Sequence, residues 1–168
     1  HRRRKAVPAD GVSKALGQLA PAYRDCLIVL AHTGWHVTEL GRFARDAESR
    51  VAPGRGEVLG VLQVRHKSGA TTRTPITHPA ALESAHRVRK RGVLPRKMNV
   101  TLARACAAAG VEPFTFGVMR HSVATWAIEE GTPPEVVADF LGHKSKSTTL
   151  RFYADVAVPT AVVRLPKL

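Results

Sequence analysis

Thr115-Phe116-Gly117-Val118-Met119-Arg120-His121-Ser122-Val123-Ala124-Thr125-Trp126-Ala127-Ile128-Glu129-Glu130, followed by Gly131-Thr132-Pro133-Pro134, sets the helical reading of this chain. Thr115 stands where a helix N-cap belongs, the segment runs without a breaker to Glu130, and the Gly-Thr-Pro-Pro run stops it. Beyond the stop, the sequence predicts a short helix from Glu135 to Leu141, a break at Gly142-His143, and a final helical turn from Thr148 to Tyr153. Moving toward the N-terminus, Met98 to Ala109 reads as a helix closed by Gly110. Residues 92–97 read as a loop, and Pro79 to Arg91 as a basic helix.

The middle of the chain changes period. Glu57 to Val64 is strand-like, Lys67-Ser68-Gly69-Ala70 is a turn, and Thr71 to Ile76 is a second strand, which together make a small antiparallel hairpin with Lys67 at its tip or shoulder. Before it, Val12, Leu16 and Leu19 follow helical spacing. A nearly all-apolar helix then runs from about Pro21 through Ala31 toward Gly34 at C′, and a short helix starts at Trp35 and ends near Arg45-Asp46. These elements predict a mainly α domain with a small antiparallel β-hairpin or sheet, an α+β class. The whole of 1–168 reads as one domain, with a basic leader over residues 1–6 and an apolar, poorly helical tail over residues 156–168.

Charge narrows the function. Lys and Arg number 26 against 13 Asp and Glu, a net charge of +13, and such a field attracts polyanions, with nucleic acid first among them. No stretch approaches the length of an apolar span, and no basic helix carries a clean lipid-facing stripe, so a membrane partner is not expected. Cys26 and Cys106 lack paired spacing and read as reduced core thiols of an intracellular, cytoplasmic protein. The chain opens His1-Arg2-Arg3-Arg4-Lys5 without an initiator Met or a secretory segment, and is expected to be a fragment.

The chemistry lies in a set of residues in fixed order: Thr33-Gly34-Trp35-His36-Val37-Thr38-Glu39-Leu40, Lys67 before Ser68-Gly69, Arg120-His121-Ser122, Leu141-Gly142-His143, Thr148-Thr149 and Tyr153. In this order and spacing the chain resembles the catalytic domain of the tyrosine recombinase (phage integrase) family, over nearly its whole length. The resemblance implies that a tyrosine hydroxyl attacks a DNA phosphodiester to form a 3′-phosphotyrosyl link, and that the freed 5′-hydroxyl later attacks the partner strand's link. It implies no metal and no other cofactor. The transition state gathers negative charge on the phosphate oxygens, so the site needs fixed cationic donors and an acid for the leaving oxygen.

Carried over by resemblance, Tyr153 is the nucleophile, Arg120 the bidentate holder of the non-bridging oxygens, and Lys67 the general acid. His143 donates to the scissile phosphate, His121 positions it, and Glu39 supports the first box. His36 stands where the family carries arginine, and Gly117 where it carries histidine or lysine, so two donors are lost. A histidine with an ordinary pKa of about 6.5 is mostly neutral at pH 7 and cannot form the guanidinium fork. Arg87, Lys90, Arg91, Lys144 and Arg151 are expected to contact the backbone of double-stranded DNA.

The resemblance further implies a separate N-terminal core-binding domain that this chain lacks, other protomers in a DNA-bound synaptic complex that receive the tail from Val156, and a monomer in isolation. It points to a bacterial, phage or mobile-element origin. Singly, Tyr153 reads as a packing residue, Arg120 as a surface ion-pair partner and Lys67 as a solvated turn lysine; only their joint order argues for a site. Two rival functions remain: a degenerate member that binds DNA as an accessory protein without cutting it, favoured by His36 and Gly117, and a type IB topoisomerase-like relaxing enzyme. His32 and His36, spaced i, i+4, have no third ligand in a recognised metal pattern, and Lys67-Ser68 lacks the glycines of a P-loop.

Overall fold

The computed structural model describes residues 5–142 and 161–168. Its elements in order are α1 (Ala9–Leu16), α2 (Pro21–Thr33), α3 (Val37–Arg45), β1 (Arg50–Pro53), β2 (Gly60–Arg65), β3 (Thr71–Ile76), α4 (Pro79–Arg91), α5 (Met98–Ala109), a 3-10 turn (Phe116–Val118), α6 (Met119–Glu129) and α7 (Pro134–Phe140). The mainly α class with a small antiparallel sheet holds. Helix α2 is the axis, and it packs on α4 and α6 and touches α1, α3, α5 and β3. Its near-continuous apolar sequence follows from this position, since Cys26, Leu27, Val29, Leu30 and Ala31 are all buried against neighbours on every side.

The hairpin is a three-stranded sheet of order β1-β2-β3, antiparallel throughout. Strand β1 was not expected, because Arg50-Val51-Ala52-Pro53 is too short and too mixed to announce a strand. It exists because it pairs Val51 with Leu62 and Ala52 with Val61, burying Ala52 beside Val58 and Val61. Strand β2 starts at Gly60 and not at Glu57, since residues 54–59 form the connection back from β1. Gly54 is required there, as a Cβ would overlap the Val58 carbonyl.

Two helix starts also differ from expectation. The long helix through Glu130 opens with the 3-10 turn, and the Thr115 hydroxyl makes no cap; the Phe116 N–H is taken instead by Asn99 Oδ1 of α5 at 3.0 Å. Helix α3 begins at Val37, leaving Trp35 outside it, buried, with its Nε1–H donated to Thr74 Oγ1 of β3 at 2.9 Å. Residues 161–168 lie on the chain's own body. Ala161 and Val163 are buried there, and the Arg164 N–H donates to Thr132 Oγ1 at 3.1 Å.

Asp25, 2% exposed on α2, is the one buried acid among the described residues. It accepts from Ser84 Oγ at 2.9 Å and forms ion pairs with Arg87 at 3.0 Å and Arg91 at 2.6 Å, which pin α4 along α2. Burial pushes the neighbouring Cys26 thiol up to about 12, so it is inert at neutral pH. Arg89 finishes the joint by donating to the Phe43 and Asp46 carbonyls, both at 2.8 Å, at the end of α3.

The turn after α2 places everything else. Gly34 closes the helix in the left-handed region at φ 65°, its N–H bonded to the Leu30 carbonyl at 2.9 Å. A Cβ at this position would lie 2.5 Å from Leu141 Cδ2 and 3.3 Å from Val123 Cγ1, so three distant segments meet on a hydrogen atom.

Gly34→Ala is therefore expected to destabilise by more than about 2 kcal/mol, from left-handed strain plus overpacking. Leu141→Ala in the same chain should recover part of that loss. Urea unfolding of the two single variants and the double variant measures this, and strict additivity would exclude the contact.

His32 generates a second expectation. Burial, followed by the nearby His78, lowers its pKa to about 4 even though its Nδ1 bonds the Ile28 carbonyl at 2.7 Å. The unfolded chain then binds the proton more readily. His32 should contribute stability that is full above about pH 6.5 and fades as pH falls toward 4, by up to about 3 kcal/mol. Unfolding midpoints between pH 7 and pH 4 should show a shallower decline in His32→Asn than in the native chain.

Candidate active site

Arg120 sits on the first turn of α6, half-buried, facing the Gly34 turn. One terminal nitrogen donates to the Gly34 carbonyl at 3.1 Å and the other to the Leu141 carbonyl at 3.0 Å. Both carbonyls are left unpaired by their own helices, because Gly34 follows the end of α2 and Leu141 the end of α7. Burial draws the guanidinium down from arginine's ordinary range while the Glu39 charge opposes that, and it stays a cation. A guanidinium has five N–H donors, of which these bonds use two, and among the described residues the other three have no acceptor.

Next to it, His36 is the N-cap residue of α3 and is exposed. The Glu39 carboxylate accepts from the His36 backbone N–H at 3.1 Å, half of a capping box, and its charge suits the positive end of the helix. Glu39 thus fixes the backbone that presents position 36. Gly117 lies in the 3-10 turn ahead of Arg120, exposed; a Cβ there would meet only Thr115 Oγ1 at 3.8 Å, so the fold has room for a side chain.

Lys67 is exposed at the tip of the β2–β3 hairpin. It lines an open groove of about 830 Å³ together with Arg42, Arg45, Arg65 and His66, with Asp46 and Glu48 at the edge. The hairpin is tied to the Gly34 turn by the Trp35–Thr74 bond, and the Thr72 methyl lies near Gly142, 3.9 Å from where a Cβ would stand. The stretches around Gly34, Arg120 and Leu141 thus meet directly, whereas Lys67 lines a groove that includes none of the three. His143, Lys144, Arg151 and Tyr153 lie outside the described residues.

The remaining candidates divide. His121 and Lys90 are exposed and free of ion pairs among the described residues, as backbone-contacting groups would be. Arg87 and Arg91 have a task the sequence reading did not give them, the neutralisation of Asp25. A lone acid in an otherwise apolar helix, with two arginines at i, i+4 on a later one, was the available signal. Ser122 is structural as well: buried, it accepts the Val7 N–H at 3.0 Å, while Trp126 Nε1–H donates to the Val7 carbonyl at 2.8 Å, stitching the N-terminal segment onto α6. Among the described residues, no three His, Cys, Asp or Glu side chains come together as metal ligands.

Comparison with known proteins bears on the family and the fold. Residues 60–159 match the family model described as Phage integrase family. No curated protein sequence matches the chain. The integrase from mycobacterium phage Brujita is similar at 24% identity and a TM-score of 0.55, over 86% of this chain and 52% of its own. The XerH site-specific recombinase bound to difH substrate, in a pre-cleavage complex, is similar at 15% identity and a TM-score of 0.62, over 90% and 50%. The Tn1549 transposon integrase in complex with circular intermediate DNA is similar at 18% identity and a TM-score of 0.54, over 91% and 62%. The chain spans about half the length of the first two, and at these identities the likeness establishes the fold. With the family match extending over 100 of its 168 residues, from Gly60 to Pro159, the chain belongs to the phage integrase family of tyrosine recombinases.

Proposed function

We propose that this chain performs the strand-transfer step of site-specific recombination on double-stranded DNA, with Tyr153 as nucleophile. The observation that carries the reading is the Arg120 guanidinium, locked by two carbonyls and left with donors to spare beside the first box. The Tyr153 hydroxyl passes its proton to water as its oxygen bonds phosphorus, the bond from phosphorus to the 5′ oxygen breaks, and the Lys67 ammonium gives a proton to that oxygen, to be regained in the reverse step. The reverse attack by a 5′-hydroxyl of a partner strand restores the backbone and frees the tyrosine. Energy is conserved in the phosphotyrosyl link.

Arg120, His143 and His36 donate to the oxygens that gain charge, where a preorganised donor is most effective. His121, Lys90, Lys144 and Arg151 contact flanking phosphates, Arg87 and Arg91 only with donors left over from Asp25, and binding weakens steeply with salt. Other protomers complete a synaptic complex. The fold tolerates a side chain at position 117, so glycine there reflects no steric demand. Together with His36, it favours one second reading, a member that retains DNA binding and has lost turnover.

Relaxation of supercoiled plasmid at low salt, with denaturing gels for covalent adducts, separates the two. The native chain is expected to relax plasmid and form adduct. Tyr153→Phe should abolish both, and Arg120→Ala should reduce the rate by roughly 10²–10³. The double variant His36→Arg, Gly117→His should be faster than native. A silent native chain beside an active double variant would establish the second reading, and silence from both would exclude strand transfer by this chain.

A further inference from the structure

The hairpin tip that carries Lys67 is closed by a side-chain bond that the proposed chemistry does not use. His66 Nε2 and Thr72 Oγ1 are 2.6 Å apart, joining the residue that immediately precedes the lysine to the far side of the turn. The backbone turns tightly between them, with the His66 N–H on the Ala70 carbonyl at 2.8 Å and the Gly69 N–H on the His66 carbonyl at 2.9 Å. Thr72 also faces the Leu141–Gly142 corner with its methyl group. Two residues on, at the same face of the strand, Thr74 holds Trp35.

One face of β3 therefore carries both Thr74, which holds Trp35 beside the Gly34 turn, and Thr72, which is bonded to His66 at the tip. A turn lysine on a two-stranded tip otherwise samples many positions, and a displacement of about 1 Å at a reacting group can cost about 10² in rate. We propose that His66 and Thr72 are positioning residues for Lys67. Their hydrogen bond closes the tip across the hairpin and keeps the ammonium in the groove it shares with Arg42, Arg45 and Arg65. The role rests on the reading of Lys67 as the acid that serves the leaving oxygen.

Two measurements test it on the full chain. Amide hydrogen exchange at Gly69 should accelerate about fivefold or more in His66→Ala and in Thr72→Val, which keeps the methyl, and stay near native in Thr72→Ser, which keeps the hydroxyl. Unchanged exchange in the first two would overturn the proposal without reference to activity. In plasmid relaxation and adduct formation, His66→Ala and Thr72→Val should slow the native chain roughly tenfold, with plasmid affinity unchanged. They should cost nothing further in Lys67→Ala, the non-additivity expected of groups that act through one another. Looser exchange with undiminished relaxation would overturn the positioning role alone. A native chain inactive on plasmid would overturn the recombinase reading and the catalytic role with it, while the exchange result still decides whether the bond holds the tip.

Discussion

Two backbone carbonyls that cannot be satisfied by their own helices share one guanidinium. The Gly34 carbonyl lies 86 residues from Arg120 and the Leu141 carbonyl 21, and closing both loops onto one side chain defines the relative positions of α2, α6 and α7. The bonds form only because the backbones approach closely, and that approach needs glycine at position 34, where both the left-handed turn and the Leu141 side chain exclude a Cβ. A cation suited to phosphate is thus built into the joint of the fold. Desolvation makes its donors stronger toward an anion while the carbonyls hold it still.

The sheet joins the common core through Leu62, Val64 and Ile76, and one hydrogen bond, Trp35 to Thr74, ties it to the turn that carries this joint. Strand β3 presents Thr74 to Trp35 and Thr72 to Gly142, whereas Ile76 at its end enters the common core. The tip beyond Thr72 has no apolar anchor, since residues 67–70 are all exposed. Such a tip is held by few hydrogen bonds and belongs to the low-stability end of the molecule, a usual place for a group that must meet a large ligand.

The positive charge of the chain serves two ends. Part of it is consumed inside: Arg87 and Arg91 neutralise Asp25, and Arg89 binds the end of α3. Much of what is left stands at the surface, on the α3–hairpin groove and on Lys90 and His121. A net charge of +13 therefore overstates the field available to a polyanion, and the burial of Asp25 explains why two arginines in a basic helix are not free contacts.

The sequence by itself determined the helices, because an unbroken apolar run from Cys26 to Ala31, proline at helix starts and glycine after helix ends act within a few residues. It also determined the order of Lys67, Arg120, His143 and Tyr153, which is local spacing. It could not announce β1, whose four residues become a strand only by pairing with β2. Nor could it show that Asn99 takes the Phe116 amide in place of the Thr115 hydroxyl, or that the apolar tail finds a surface on its own chain. The meeting of Gly34, Arg120 and Leu141, the Asp25 ion pairs and the His66–Thr72 bond were likewise decided by tertiary structure. Each depends on distances between segments that no local periodicity encodes, and hydrogen bonds and charges reward a contact only once packing has brought the partners within about 3 Å.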